Sequence, residues 1–307
     1  MSEEKIAVMQ IESTINKTTL QEPSSLCCIR GQCIACCSGD SCVDQAYPIL
    51  LIHGHAFNKD LSAEYSLEAF NKLQQKLEND GLVSAGAVTL YTQHDVPYGA
   101  WGAFNVPFTI RASYYFDLFK EPENYVVVQT NSENIDTYAI RLRDLIDTTK
   151  YKTGKSKVDI ITFSMGGLVA RRYLQLFGDS SINKLILIAA PNNGVSEDVA
   201  QYCGLIGASL ECRDLAKDSL LINKLTTGIQ PRINITNIVG TGCQMKEGIG
   251  DGVVLETSAI LQNANNIVIN GTCRSSALPL HTDLLDVDLY PGVYSAVKFA
   301  LFNISNT

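Results

Sequence analysis

The sequence predicts an α/β protein, with a mostly parallel central sheet covered by helices on both faces. Three observations predict it. Short apolar runs of strand length alternate with stretches of helical period. Several of these runs are apolar throughout, as strands buried on both faces must be. The chain has 307 residues and is 46% apolar, enough for one large domain with its own core.

Each element follows from its residues. Residues 1–25 are polar and read as a leader or stalk, and 27–42 form a cysteine-rich cap. From Tyr47 the alternation begins, so residues 1–46 are expected to stand apart from a main domain at 47–307. "PILLIHGH" (Pro48–His55) reads as a buried strand. Residues 62–80 carry Leu67, Phe70, Leu73 and Leu77 at helical spacing, with Gly81 as the stop. "AVTLYT" (Ala87–Thr92) is the second expected strand. Residues 94–120 are aromatic and irregular and read as an insertion. "YVVVQT" (Tyr125–Thr130) is the third strand, followed by a helix with Ile135, Tyr138, Leu142 and Leu145 on one face. "VDIITF", "KLILIAAP", "INITNIVG" and "NNIVIN" are the remaining strands. Residues 196–228 form a mostly helical excursion, and a last helix runs near Tyr290–Phe302.

Composition narrows the function classes. Lys plus Arg is 24 and Asp plus Glu is 32, a net charge of −8 with no basic cluster, which argues against nucleic acid as a partner. The longest apolar runs are strand-sized, far below the ~20 residues that span a bilayer. The start, Met1-Ser2-Glu3-Glu4, has no long apolar stretch, so no signal peptide is visible. Ten cysteines nevertheless suggest an oxidising, extracytoplasmic compartment, secreted or membrane-tethered. Six of them, Cys27, Cys28, Cys33, Cys36, Cys37 and Cys42, suit a disulfide knot better than a metal site, since no histidine is near. The other four pair most simply as Cys203–Cys212 and Cys243–Cys273. Sequons at Asn16, Asn234, Asn270 and Asn303 permit glycosylation.

The chemistry centres on "DIITFSMGGLVAR" (Asp159–Arg171). A buried strand ends at Ser164, two glycines follow, and the pattern turns helical. Such a corner lifts the hydroxyl to a helix N-terminus, where N–H groups favour developing negative charge. A helix-capping serine would look similar taken alone. A serine nucleophile needs a base. Of the four histidines, His53, His55, His94 and His281, only His281 in "LPLHTDLL" follows Ser164. Between them, Asp251 in "GIGDGVVLETSA" has glycine on both sides, which lets a carboxylate turn inward. Asp214, Asp218 and Glu256 share the interval, the first two within the helical excursion.

Thr162-Phe163-Ser164-Met165-Gly166 resembles the G-x-S-x-G nucleophile elbow of the α/β-hydrolases, with Thr162 in place of the first glycine. "LIHGHAF" resembles the His-Gly-x loop of lipases, "GDGVV" their acid loop and "LHTDLL" their base loop, all in family order from Pro48 to Phe302. The resemblance is to the lipase and esterase side of the α/β-hydrolase superfamily, near single-domain bacterial lipases and lecithin–cholesterol acyltransferase-like enzymes. It implies a triad of Ser164, Asp251 and His281, with the N–H groups of Met165 and His55 as the oxyanion hole. His53 is then a structural hydrogen-bonder.

The implied activity is hydrolysis of apolar acyl esters, with no metal and no organic cofactor. The implied partner is an apolar ester or lipid, at a lipid surface or free. The same machinery suits a thioesterase or an acyltransferase. A non-catalytic hydrolase fold bearing a cysteine-rich binding segment is the reading from another class. Residues 196–228 lie where such lipases carry a lid, and Leu205, Ile206, Leu210, Leu215, Leu220, Leu221, Ile222 and Leu225 would cover an acyl site or pack onto the body. A Cys243–Cys273 bridge would tie the acid loop to the base loop.

Overall fold

The computed structural model describes residues 26–29, 32–35, 47–55, 67–88, 96–102, 107–120, 125–129, 134–205, 209–273 and 279–302. Strands β1 (Leu26–Ile29) and β2 (Gln32–Ala35) form an antiparallel hairpin within the cysteine-rich segment. Cys36, Cys37 and Cys42 lie outside the described residues, as do the bridging of that cysteine group and the leader.

The centre is a sheet of seven strands: β3 (Ile49–Ile52), β4 (Val83–Val88), β5 (Phe108–Ala112), β8 (Val158–Phe163), β9 (Ile182–Ile188), β10 (Asn234–Thr241) and β13 (Asn265–Asn270). Their order across the sheet is β13-β10-β9-β8-β3-β5-β4, and every pairing is parallel. The inner strands are apolar because both faces are covered. In β3, Leu50 and Ile52 enter one core and Ile49 and Leu51 the other. The alternation is the strand period itself. The first core packs against helices α2 (Ile135–Thr153) and α3 (Met165–Phe177), the second against α1 (Asn71–Asn79) and α9 (Pro291–Phe302). Helix α2 starts where the Asn134 side chain accepts the Thr137 N–H at 2.9 Å, satisfying one orphan donor of the first turn. It stops at Gly154, whose φ of +67° a side chain would resist.

Three expectations are corrected. Tyr125–Gln129 (β7) is extended but lies outside the central sheet, pairing antiparallel with β6 (Phe116–Lys120). The third strand in chain order is instead Phe108–Ala112, inside the stretch read as an insertion. An apolar run specifies an extended chain but not its partner, and Arg111 in the middle of β5 disguises that strand. Arg111 runs towards the start of α1, where its guanidinium donates to Asn71 Oδ1 at 3.0 Å. The second strand begins at Val83 rather than Ala87, and residues 89–92 lie outside the described part.

The excursion forms α4 (Glu197–Leu205), α5 (Ser209–Leu215) and α6 (Leu220–Thr227). Leu215, Leu221, Ile222 and Leu225 are buried in the first core, whereas Leu210 and Leu220 face outward. Ile206 is outside the described residues. Buried Arg171 donates to Leu225 O at 3.0 Å, and Ile135 N–H donates to Asp214 Oδ2 at 3.0 Å. These ties hold the excursion to the body. A small hairpin, β11 (Cys243–Met245) and β12 (Gly248–Gly250), follows β10. Short helices α7 (Glu256–Ala259) and α8 (Leu280–Asp283) complete the chain. No helix among the described residues is long and apolar enough to cross a membrane.

Candidate active site

The site lies beyond the C-terminal ends of β8, β10 and β13, where crossovers leave a crevice in a parallel sheet. Ser164 follows β8 directly and has φ +51°, ψ −126°. For a residue with a Cβ this conformation costs on the order of 1–3 kcal/mol, so its surroundings must impose it. Ser164 N–H donates to Ile188 O at 2.8 Å, and Ser164 O accepts from Gly167 N–H at 2.9 Å. Gly166 and Gly167 allow the contact. A Cβ on Gly166 would lie 2.4 Å from His53 O, and one on Gly167 2.6 Å from Ala190 Cβ. Thr162 is fully buried, and its hydroxyl donates to Ile186 O at 3.3 Å. The pocket below the elbow thus has room for a threonine that can hydrogen-bond to the neighbouring strand.

Ser164 Oγ lies 2.8 Å from His281 Nε2, and His281 Nδ1 lies 2.7 Å from Asp251 Oδ2. The other carboxylate oxygen, Oδ1, accepts from Val253 N–H at 2.9 Å and Val254 N–H at 2.7 Å. His281 N–H also donates to Asp251 O at 2.9 Å. These bonds hold Nδ1–H towards the acid and leave Nε2 to accept from the serine. Asp251 and His281 are buried, and Ser164 keeps 8% of its surface, so access is from the serine side. The glycines around the acid have a geometric cause. Gly252 has φ +94°, and a Cβ on Gly250 would lie 2.1 Å from Val254 O. The other acids are engaged elsewhere: Glu256 accepts from the Thr241 hydroxyl, and Asp214 caps α2. Asp218 sits in the turn before α6, and His94 is outside the described residues.

Both remaining disulfides pair as expected, Cys203–Cys212 and Cys243–Cys273. The second joins the hairpin that precedes Asp251 to the segment that precedes His281. His55 lies beside Cys203 and Cys212, but the two sulfurs are bonded to each other and so do not form a metal site.

The loop after β3 passes tightly over the elbow. A Cβ on Gly54 would lie 2.8 Å from Ser164 Cβ, so the backbone just before His55 packs against the serine. Met165 opens α3, where the first N–H groups have no acceptor within the helix. His53 is buried: Nδ1–H donates to Gly54 O at 2.8 Å, and Nε2 accepts from Ser113 Oγ at 2.9 Å. Burial pushes its pKa down to about 4, so the ring is neutral and structural. The Tyr114 hydroxyl donates to His53 O at 2.9 Å. His55 points instead at Glu211 of α5, which also accepts from Tyr115 and Tyr138. Sequence reasoning missed Ser113, Tyr114, Tyr115 and Glu211. The one signal was the adjacency of Glu211 to Cys212.

Residues 107–237 match the palmitoyl protein thioesterase family, a stretch that includes the elbow but neither Asp251 nor His281. No curated protein matches the sequence. Among solved structures, a gene product of Listeria innocua is 16% identical, with a TM-score of 0.53 over 85% of this chain and 96% of that one. The mature lipase BlEst2 of Bacillus licheniformis is 14% identical, with a TM-score of 0.50 over 81% of this chain and 92% of its own. Phospholipase PlaB of Legionella pneumophila is 14% identical, with a TM-score of 0.54 over 85% of this chain and 61% of PlaB. The chain has the α/β-hydrolase fold.

Proposed function

We propose that this protein is a serine hydrolase that cleaves apolar acyl esters. The observation that carries the reading is the unbroken hydrogen-bonded line from Asp251 through His281 to Ser164, ending at a strained serine over a helix N-terminus. Ser164 Oγ attacks the acyl carbonyl while His281 Nε2 takes its proton. Asp251 stabilises the charged imidazole. The Met165 and His55 N–H groups hold the oxyanion, and His281 returns the proton to the departing alcohol. Water then repeats the sequence on the acyl-enzyme, releasing the acid and the free serine.

Residues 47–307 constitute this catalytic domain, with the cysteine-rich segment appended before it. Helices α4 to α6 occupy the segment where a lid would be, and their residues buried in the first core argue for fixed packing onto the body over a swinging lid. The two disulfides favour work outside the cytoplasm.

A second reading keeps the machinery and changes the leaving group to a thiol. The match of residues 107–237 to the thioesterase family favours it. One experiment addresses both. Turnover of p-nitrophenyl esters and of S-acyl thioesters of rising chain length is compared between the protein and Ser164→Ala. We expect activity on longer acyl chains, lost by several orders of magnitude in the variant, as loss of a triad serine costs on the order of 10⁶-fold elsewhere. A folded, oxidised protein inert on both series would overturn both readings in favour of a non-catalytic one.

A further inference from the structure

Outside the triad, one buried group has no part in the chemistry above. Glu211 on α5 is fully buried, and among the described residues no lysine or arginine pairs with it. Its Oε2 accepts from His55 Nδ1–H and from the Tyr115 hydroxyl at 3.1 Å, and its Oε1 accepts from the Tyr138 hydroxyl. A carboxylate without a strong cation partner is a costly way to fill a core. An apolar side chain would fill the same volume with no desolvation penalty. What the carboxylate offers is acceptor capacity, since it can take three donors at once and presents none of its own.

Those donors come from places that matter to the site. His55 follows Gly54, the glycine packed against Ser164. Tyr115 stands two residues beyond Ser113, which holds the His53 ring, and next to Tyr114, which binds His53 O. Tyr138 belongs to α2 of the body. On its other side the His55 ring meets the Cys203–Cys212 staple, with Cys203 Sγ 3.7 Å from Nε2. Both ring nitrogens of His55 therefore face the helical excursion.

We propose that Glu211 is a positioning residue for the oxyanion hole. It fixes the His55 imidazole, and through it the His55 backbone N–H, against two tyrosines of the body. This rests on the acyl-transfer reading, with His55 as the second donor. The excursion then contributes to the site through the His55 ring. A donor displaced by even ~1 Å costs about 10²-fold in rate, and complete loss of one oxyanion donor costs about 10²–10³-fold.

The test is Glu211→Gln, which keeps the shape but turns an NH₂ towards one of the three donors. We expect kcat to fall about 10- to 100-fold with KM changed less than about threefold. Affinity for an alkyl boronic acid, which mimics the tetrahedral intermediate, should fall in parallel. Tyr138→Phe, isosteric and lacking one donor, should give a smaller fall in the same direction, and it keeps the test available if Glu211→Gln misfolds. Unchanged kcat in both folded variants would overturn the proposal and leave the hydrolase reading intact. So would a loss that only tracks the folded fraction, or one confined to KM. Wild type inert towards every ester and thioester, and blind to the boronic acid, would overturn both.

Discussion

Replacing Asp251 by asparagine is nearly isosteric, yet it should all but abolish turnover. Two backbone N–H groups, from Val253 and Val254, point at Oδ1 at 2.9 and 2.7 Å. An asparagine must keep its carbonyl oxygen there, because an NH₂ would face two donors. Its NH₂ is then forced towards His281 Nδ1, 2.7 Å from the present Oδ2. Nδ1 must accept, so the ring proton moves to Nε2, which can no longer take the proton of Ser164. The imidazolium of the transition state also loses its counter-charge. The equivalent change in a well-studied serine protease lowers kcat about 10⁴-fold, which is about 5 kcal/mol of barrier. The assay is steady-state hydrolysis of the best p-nitrophenyl ester, with circular dichroism to verify the fold. KM should change little, because Asp251 is buried and does not reach the substrate side. Folded Asp251→Asn retaining more than about a tenth of wild-type kcat would refute the reasoning and reopen Glu256 as the acid.

Two further predictions concern stability. Burial holds His53 down at about 4 against an ordinary 6.5, so the unfolded chain takes up that proton first. Stability from this group is complete above pH 6.5 and falls by up to about 3 kcal/mol as pH drops to 4. Burial raises Asp159 from 3.8 to about 6, so the folded chain protonates first and gains up to about 3 kcal/mol between pH 6 and 3.8. The two nearly cancel. Asp159→Asn should therefore steepen the acid loss of stability by about 3 kcal/mol in urea titrations at pH 6.5 and 4, and parallel pH profiles would contradict it. Cys243→Ser with Cys273→Ser opens a bridge of sequence separation 30 and should cost about 3–4 kcal/mol on the chain-entropy account. A urea midpoint equal to that of wild type would refute that figure.

The elbow was legible in the sequence because its constraints are local. Six buried residues of β8 run straight into Ser164, and neither glycine after it tolerates a Cβ. Asp251 and His281 stood out for a related reason: each comes soon after a readable strand, Asp251 after β10 and His281 at the short helix α8 after β13, and the strand order carries both to one end of the sheet. The contacts of Glu211 were not legible. Glu211 lies in "SLECRDLAK", inside the excursion whose leucines drew the reading, and its partners come from residues 55, 115 and 138. Nothing short of the folded chain joins those positions. Strand β5 was missed because Arg111 and its aromatic neighbours mask a short buried stretch, whereas "YVVVQ" advertised a strand without naming its partner.

Strand β13 is an edge strand, paired only with β10, and half-exposed along its length. Edges open more readily than the middle of a sheet, and their opening free energy lies below that of global unfolding. The chain that carries His281 hangs from this edge, so fraying there would withdraw the proposed base while the inner strands stayed intact. Inactivation and melting would then be separate events with separate midpoints. The Cys243–Cys273 bond fastens the end of that edge to the segment beyond β10, so it couples the lifetime of the active form to that of the whole sheet. In amide hydrogen exchange, cutting the bond should unprotect Ile267–Ile269 long before Ile160 and Ile186.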